Sequence, residues 1–148
     1  MARYTSIRTI LALDAVMKWK IYQMDVKTAF LNGVVEDKVY VEQTLGFKTH
    51  DRKTHVCKLK KQLYGLKQAP RTWYSRMDNF VMSLGFTKSK ADSNLYFKVE
   101  GGRPMMLLLY VDDLFRTSED ELKKDARRRL ATKFEMKDLC MMHYFLGM

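Results

Sequence analysis

The chain has 148 residues, which suits one ordinary domain better than two, and a hydrophobic content of 47% supports a real core. Two prolines and seven glycines are too few for a disordered or low-complexity chain. Lysine and arginine total 27 against 17 aspartate and glutamate residues. The resulting net charge of +10 suits a polyanion such as nucleic acid, or an acidic membrane surface, with a merely soluble basic protein as an equal alternative.

The N-terminal part of the chain predicts a helix followed by a strand. Apolar residues recur at helical spacing over Ser6–Trp19, and Ser6 is a candidate N-cap. Ile21–Asp25 then predicts a short strand. Asn32-Gly33 is a strong turn signal, and the residues Val39–Val41 beyond it favour an extended backbone.

The middle of the chain predicts a second helix. His55–Lys60 alternates apolar and polar residues loosely and indicates a strand. Pro70 suits the first turn of a helix, and Thr72–Leu84 carries apolar residues at helical spacing. Gly85 then suits the C-terminal cap of that helix.

The C-terminal part predicts a hairpin and a third helix. Asn94–Val99 and Met105–Val111 have strand composition, with a hairpin turn at Gly101-Gly102 between them. Ser118 with Glu121 three residues later forms a capping box, which predicts a helix running to about Lys133. No repeat or linker divides the chain, so the pattern predicts one α+β domain over residues 1–148.

The cysteines and the apolar stretches give no sign of export or membrane insertion. Cys57 and Cys140 lie far apart and fit no zinc-binding spacing, which favours reduced thiols in an intracellular protein. No signal peptide is present, and the apolar stretch Ile10–Met17 is short and interrupted by Asp14. The sequence therefore predicts no membrane partner.

The most informative local feature is a pair of aspartates at the end of an apolar strand. Met105–Val111 leads directly into Asp112 and Asp113, and apolar residues resume at Leu114. Two adjacent carboxylates repel each other and resist desolvation, and a divalent cation would remove both penalties. A β-turn whose two aspartates simply face water explains the segment slightly better when it is taken alone.

A third aspartate has a similar setting. Asp25 follows the predicted strand Ile21–Met24, and apolar residues return at Ala29–Leu31. A carboxylate from a second strand could complete a two-metal site of the kind that performs phosphoryl transfer. The alternative is an aspartate at a helix N-terminus, where its charge suits the helix dipole.

Several motifs, taken in chain order, resemble one family. Tyr110–Asp113 is similar to the YxDD box of reverse transcriptases, and Met24–Gly33 resembles the first-aspartate motif of the Ty1/copia retrotransposon branch. Further segments match that branch in order, and together the similarity covers nearly the whole chain: Val56–Lys61, Leu63–Arg71 with Trp73-Tyr74, Phe134–Leu139 and Phe145–Met148.

The resemblance implies a polymerase palm, an antiparallel sheet with helices packed on one face. It implies that Asp25 and Asp112 are the principal ligands of two magnesium ions, with manganese as a possible substitute. Asp113 would stand beside them in a weaker role, and the backbone of Val26 would also approach the metal. We expect Asp25 and Asp112 to converge at one end of the sheet.

The resemblance also implies nucleotide and nucleic-acid contacts. It places Phe30 at an aromatic steric gate that excludes a 2′-hydroxyl, although a core phenylalanine is the alternative. The other implied deoxynucleotide contacts are Ala29, Lys27, Tyr64 and Gln68. The implied template and primer contacts are Gly65, Lys67, Pro70, Arg71, Tyr110, Leu146 and Gly147.

Some of these side chains also have plainer interpretations. Solvated surface charge suits Lys67 and Arg71 as well as phosphate contact does. Trp73 and Tyr74 lie on the apolar pattern of their helix, which favours core packing over base stacking. Lys137 occupies a loose match to the position that approaches pyrophosphate, and a solvated lysine is the better interpretation.

The implied activity is RNA-directed DNA synthesis in the cytoplasmic particle or nucleus of a cell. The partners would be an RNA template, a DNA primer or RNA–DNA hybrid, a deoxynucleoside triphosphate, and the remaining Pol regions (fingers, thumb, RNase H and integrase). The chain is expected to contain the palm with the end of the fingers, while the rest of the fingers and the other regions lie outside it and the primer grip is cut at Met148. The isolated chain is therefore expected to extend primers little or not at all.

Two departures from the family pattern favour a second hypothesis. Arg116 stands where an apolar strand residue is usual, and Cys140 replaces a common glycine. Burying Arg116 without a partner would be costly. These residues suit a degenerate, inactive remnant that retains at most nucleic-acid binding. An unrelated RNA-binding α+β module is the third alternative, but it lacks an aromatic-basic RNA-binding signature.

Overall fold

The computed structural model describes residues 2–35, 37–46, 51, 54–118 and 123–143. Their contacts group the chain into two compact units, Met1–Thr28 with Met77–Met148, and Ala29–Arg76. The helices are α1 (Tyr4–Met17), α2 (Ala69–Ser83) and α3 (Lys123–Lys133). The strands are β1 (Lys20–Val26), β2 (Tyr40–Val41), β3 (Cys57–Lys58), β4 (Thr87–Lys88), β5 (Leu95–Glu100), β6 (Arg103–Tyr110), β7 (Asp113–Ser118) and β8 (Met136–Met141).

The larger unit is built on a six-stranded antiparallel sheet in the order β4-β5-β6-β7-β1-β8. This confirms the predicted α+β class and the antiparallel sheet. Gly101 and Gly102 join β5 to β6 with φ values of 58° and 75°, as the predicted hairpin turn requires. Gly85, with φ of 86°, follows α2 and confirms the predicted cap.

Helix α1 covers one face of this sheet. Its Ile7 and Ile10 pack in one cluster with Ile21, Leu108 and Phe115 from the central strands. At the far end of the helix, the Thr117 hydroxyl of β7 donates a hydrogen bond to the buried Asp14 carboxylate at 2.6 Å. Burial raises the pKa of Asp14 above its ordinary value, although the bond from Thr117 opposes this.

Helix α2 covers the opposite face. The Tyr96 hydroxyl of β5 donates to Asp78 of α2 at 2.8 Å. Thr117 pairs with Met106 of β6, and Tyr96 pairs with Leu107, the residue that follows Met106 in β6. Because consecutive strand residues face opposite sides, α1 and α2 lie on different faces of the sheet.

The prediction that the helices pack on one face is therefore wrong. Leu107, Leu108 and Leu109 are each at most 2% exposed, so β6 is buried on both faces. A sheet whose central strand is apolar on consecutive residues needs cover on both sides, and α1 and α2 supply it.

The start of α1 also differs from its prediction. The helix begins at Tyr4, so Ser6 lies inside it, and the predicted N-cap is wrong. The carboxylate of Asp92, close to β5, accepts a hydrogen bond from the backbone N–H of Arg3 at 2.8 Å. A long-range contact thus satisfies a donor that the local sequence leaves open.

The smaller unit holds the two-stranded sheet of β2 and β3, in which Tyr40 pairs with Lys58 and Val41 with Cys57. The strand predicted over His55–Lys60 is thus confirmed only at its centre. A 3₁₀ turn covers Ala29–Asn32, and the Gly33 N–H donates to the Phe30 carbonyl at 2.9 Å. A Cβ on Gly33 would lie 2.9 Å from Gln62 Cγ, so close packing requires the glycine.

Two of the sequence predictions involve residues outside the described part of the chain. Glu121 of the predicted capping box and the primer-grip candidates Leu146 and Gly147 are not among the described positions. The part of the chain that the structure describes contains no helix with the length and apolar character needed to cross a bilayer.

Replacing Cys140 by glycine is expected to raise the free energy of unfolding by about 1 kcal/mol, because Cys140 has φ of 64°, a left-handed conformation that L residues rarely adopt. The residue lies where the β1–β8 register shifts, and bulges of this kind commonly carry glycine. Urea unfolding would measure the change.

The matched control for this prediction is Cys57→Gly. Cys57 is also an exposed free cysteine, but it lies in β3 without a positive φ, so glycine there should lower stability by roughly 0.5–1 kcal/mol. Changes of the same sign in both variants would contradict the assignment of backbone strain to Cys140.

Candidate active site

A tight turn carries the aspartate pair. Tyr110 of β6 pairs with Asp113 of β7, so Val111 and Asp112 form a two-residue hairpin loop. Val111 has φ of 57°, which is rare for a β-branched residue and marks local backbone strain. The Asp112 carbonyl accepts a hydrogen bond from the Val26 N–H at 2.9 Å, so the turn is fastened to the end of β1.

The strand register brings the third aspartate to the same place. Asp25 of β1 is the direct antiparallel partner of Asp113 of β7. Directly opposed residues share one face of a sheet, with Cβ atoms about 5 Å apart. We expected Asp25 to converge with Asp112. The register pairs Asp25 with Asp113 instead, and Asp112 lies in the adjoining turn.

Asp25, Asp112 and Asp113 form an aspartate corner of the sheet, and its electrostatics disfavour the ionised form of Asp113. Burial raises its pKa above the ordinary value, and the charges of Asp112 and Asp25 add to that rise. A hydrogen bond from Gln23 Nε2 to Asp113 Oδ1, at 2.9 Å, acts in the opposite direction. Asp113 is partly buried and hydrogen-bonded, so it does not simply face water as the plain turn interpretation expects.

Asp113→Asn is expected to stabilise the metal-free chain at neutral pH. The folded-state pKa of Asp113 lies above the ordinary value of 3.8, so its ionised form weakens the fold above that raised pKa. Below 3.8 the carboxyl is protonated in both folded and unfolded chains, and this penalty is absent. Asparagine is neutral throughout and keeps the oxygen that accepts from Gln23.

The measurement for this prediction is urea unfolding in chelator-treated buffer at pH 7 and pH 4. The advantage of Asp113→Asn over the wild-type chain should shrink as the pH falls. Asp37→Asn, at an exposed position, serves as the control and should change stability little. An advantage that grows towards pH 4 would contradict the assignment.

Two lysines border the aspartate corner in different ways. The Lys27 ammonium contacts Glu135 Oε1 at 2.8 Å, and the Lys27 N–H donates to the Glu135 carbonyl at 2.9 Å. The hydrogen bond and charge of Glu135 raise the pKa of Lys27, and the charge of Asp25 adds to the rise. Lys137 of β8 pairs directly with Asp25 and is exposed.

The donor set suits a hard divalent cation. Asp25, Asp112 and Asp113 offer carboxylate oxygens, and their mutual repulsion is a penalty that a cation relieves. Among the described residues, no group of three or more acidic, histidine or cysteine side chains forms a ready-made cage. Magnesium commonly takes only one or two protein carboxylates and completes its sphere with water and phosphate, so the residues present fit it.

The smaller unit contains most of the predicted nucleotide and template contacts. Phe30 is 8% exposed, and its ring centroid lies 4.4 Å from that of Tyr64. Ala29 is fully buried, and the Gln68 carbonyl accepts from the N–H of Thr72 at 3.1 Å. The remaining predicted contacts there are exposed: Gly65, Lys67, Pro70 and Arg71.

The core interpretation of the aromatic pair in α2 is confirmed for Trp73, which is 2% exposed, while Tyr74 is partly buried.

Sequence reasoning missed Gln23 altogether. Its position two residues before Asp25 was the available signal, because residues at that spacing share one face of a strand.

The chain was compared with known proteins. Residues 1–148 match the family described as "Reverse transcriptase (RNA-dependent DNA polymerase)". The chain is 45% identical over 148 residues to the Retrovirus-related Pol polyprotein from transposon TNT 1-94 of Nicotiana tabacum, covering 99% of the chain and 11% of that protein. It is 43% identical over 144 residues to the corresponding polyprotein from transposon RE1 of Arabidopsis thaliana, covering 97% and 10%.

A shorter relative is the putative transposon Ty5-1 protein of Saccharomyces cerevisiae, 36% identical over 126 residues, with 84% of the chain and 41% of that protein covered. The chain thus spans about a tenth of the length of the two plant polyproteins that it matches. No solved structure gives a significant match.

Proposed function

Because the chain belongs to the reverse transcriptase family, in its copia-type retrotransposon branch, we propose that it forms the palm of an RNA-directed DNA polymerase. One observation carries the proposal. The pairing of Asp25 with Asp113, and the backbone bond from Val26 to the turn residue Asp112, bring the backbone positions of three aspartates from distant parts of the chain to one corner of a sheet.

We assign the carboxylates of Asp25, Asp112 and Asp113 to two divalent cations, magnesium by preference and manganese as a substitute. When bound, such ions lower the pKa of an attacking hydroxyl and neutralise charge on a departing pyrophosphate. The β1–β7 pairing and the Val26–Asp112 bond hold the backbone of the three aspartates in place. The backbone of Val26 therefore sets the position of the turn.

The smaller unit supplies the nucleotide and template contacts in this proposal. Phe30 acts as the steric gate, and Tyr64 supports its ring by direct contact. Lys67 and Arg71 are exposed cations suited to phosphate. Lys27 and Tyr110 belong to the larger unit, where each lies two residues from a proposed metal-binding aspartate. Lys27 is a proposed contact for the triphosphate and Tyr110 for the primer or template.

The proposed partners are an RNA template, a DNA primer or hybrid, and a deoxynucleoside triphosphate, inside a cell. A net charge of +10 suits a polyanionic duplex, whose binding should weaken as salt rises. The other Pol regions would complete the enzyme, since the two plant relatives are about ten times longer than this chain.

A degenerate remnant is the second candidate, and two observations favour it. Arg116 is 3% exposed inside the sheet, and Cys140 adopts a left-handed conformation. Each feature is expected to weaken the fold, and neither residue belongs to the proposed cation site. The metal-binding residues and the stability of the chain are thus separate properties, and each needs its own experiment.

Primer extension on an RNA template with magnesium and deoxynucleoside triphosphates tests the proposed activity. The isolated chain should extend little or nothing. A chimera in which residues 1–148 replace the matching segment of the tobacco TNT 1-94 polyprotein should extend the primer. A correctly folded chimera that binds template and primer but adds no nucleotide would favour the remnant.

A further inference from the structure

Gln23 is the polar side chain that directly contacts the aspartate corner from within β1. Its Nε2 donates to Asp113 Oδ1 at 2.9 Å, although the two residues are 90 positions apart in the chain. The direct cross-strand partner of Gln23 is Phe115, so the side chain reaches diagonally along the sheet towards Asp113. Gln23 and Asp25 lie on the same face of β1, which places the donor beside the proposed cation site.

The chemistry of an amide suits this position. A lysine or arginine would neutralise Asp113 and compete with a cation for its oxygens. The neutral amide N–H holds Oδ1 while leaving Oδ2 and the remaining lone pairs open. Hydrogen bonds of this kind orient metal-binding carboxylates, and their loss typically weakens metal affinity by about 10- to 100-fold.

Among the described residues, the side-chain hydrogen bond that reaches the three aspartates is the one from Gln23. Lys27 is engaged with Glu135, and Lys137 is exposed on the neighbouring strand. The orientation of the Asp113 carboxylate therefore depends on Gln23 more than on either lysine.

We propose that Gln23 is a positioning residue that fixes the Asp113 carboxylate so that its free oxygen faces a divalent cation shared with Asp25. The inference rests on the proposed metal-binding function of the aspartates. It adds a residue that touches neither metal nor substrate and acts through Asp113.

The test measures Mn²⁺ binding to the full chain in three variants. Paramagnetic broadening of the amide signals reports the binding. Gln23→Met removes the donor while keeping side-chain length and should weaken Mn²⁺ binding by roughly 10- to 100-fold. Asp25→Asn removes a proposed ligand and should weaken it at least as much. Gln43→Met is the matched control in the smaller unit, where a 5% exposed glutamine donates to the His55 carbonyl at 3.1 Å, and it should leave Mn²⁺ binding unchanged.

A second readout separates positioning from loss of folding. The Gln23 side-chain amide signals of the wild-type chain should shift when Mg²⁺ is added, and they should move in Asp113→Ala, which removes the acceptor. The inference is overturned if the Gln23 side-chain amide signals keep the chemical shifts of a mobile glutamine both after Mg²⁺ is added and in Asp113→Ala. This holds whatever the stability of Gln23→Met.

The outcomes distinguish the two proposals. Weaker Mn²⁺ binding in Asp25→Asn but unchanged binding in Gln23→Met overturns the positioning role and leaves the proposed function standing. Binding that is unchanged in Asp25→Asn overturns the proposed metal site, and the inference falls with it.

Discussion

Asp112→Asn is expected to reduce primer extension by the chimeric polyprotein by about 100-fold or more, since a ligand of a catalytic cation stabilises the transition state by several kcal/mol. The fold should survive, because the contact that fastens the turn uses the Asp112 carbonyl and not its side chain. Asparagine is also well tolerated in turns. Single-turnover extension on an RNA template at saturating nucleotide would measure the effect on chemistry.

Asp37→Asn is the control for this experiment. It makes the same chemical change at an exposed position of the smaller unit and should leave the extension rate unchanged. Thermal melting of both variants would confirm that they are folded. Extension by Asp112→Asn within about threefold of the wild-type chimera would contradict the assignment, since that ratio is worth less than 1 kcal/mol.

Arg116→Met is expected to raise the free energy of unfolding by about 1–3 kcal/mol, because replacing a buried charge with an apolar side chain of similar length is often stabilising. Burial lowers the pKa of Arg116, and the charge of Arg127 adds to that effect. Asp138 and Tyr22 act in the opposite direction, and the guanidinium lies 5.4 Å from the Tyr22 ring centroid.

The neighbours of Arg116 favour an apolar replacement. It pairs with Leu107 of β6, which is 1% exposed, and Asp138 already forms an ion pair with Arg127. Urea unfolding would give the change in stability, with Arg103→Met as the exposed control on β6 that should shift it by less than about 0.5 kcal/mol. A clear loss of stability in Arg116→Met would show that the contacts to Tyr22 and Asp138 outweigh the desolvation of the cation.

The local elements of the fold were predictable where one strong signal stood alone. Gly101-Gly102 predicts a hairpin turn because glycine readily adopts the positive φ that such a turn requires, and both residues have positive φ. Gly85, which follows the end of α2, has a positive φ as well. The start of α1 was not predictable in this way. Its first donor is satisfied by Asp92, a residue that local sequence cannot connect to the helix.

The candidate site shows the same contrast between features that local sequence predicts and features that depend on long-range contacts. The sequence identified Asp25, Asp112 and Asp113 as candidates, but spacing could not pair Asp25 with Asp113, because register is a long-range property of β1 and β7. The contact from Gln23 follows from that register and was missed with it. The turn interpretation of the aspartate pair also holds in part, since Asp112 lies in a turn while Asp113 begins a strand.

The departures Arg116 and Cys140 gained a physical meaning that sequence alone could not give. The family resemblance implies a glycine where Cys140 stands, and the structure assigns that position a positive φ. Arg116 is buried in β7, and its guanidinium lies over the Tyr22 ring. Both residues are expected to affect stability, and neither belongs to the proposed carboxylate site, so loss of stability and loss of that site are separate properties.

The most direct test of the carboxylate site is to map Mn²⁺ on the isotope-labelled chain by paramagnetic broadening. Amide signals of Val26, Asp112 and Asp113 should broaden first, recover when excess Mg²⁺ is added, and stay sharp in a chain that carries both Asp25→Asn and Asp112→Asn. Broadening centred on other carboxylates, such as Asp125 or Asp138, with the signals of Val26 and Asp113 unchanged, would contradict the metal site proposed for this protein.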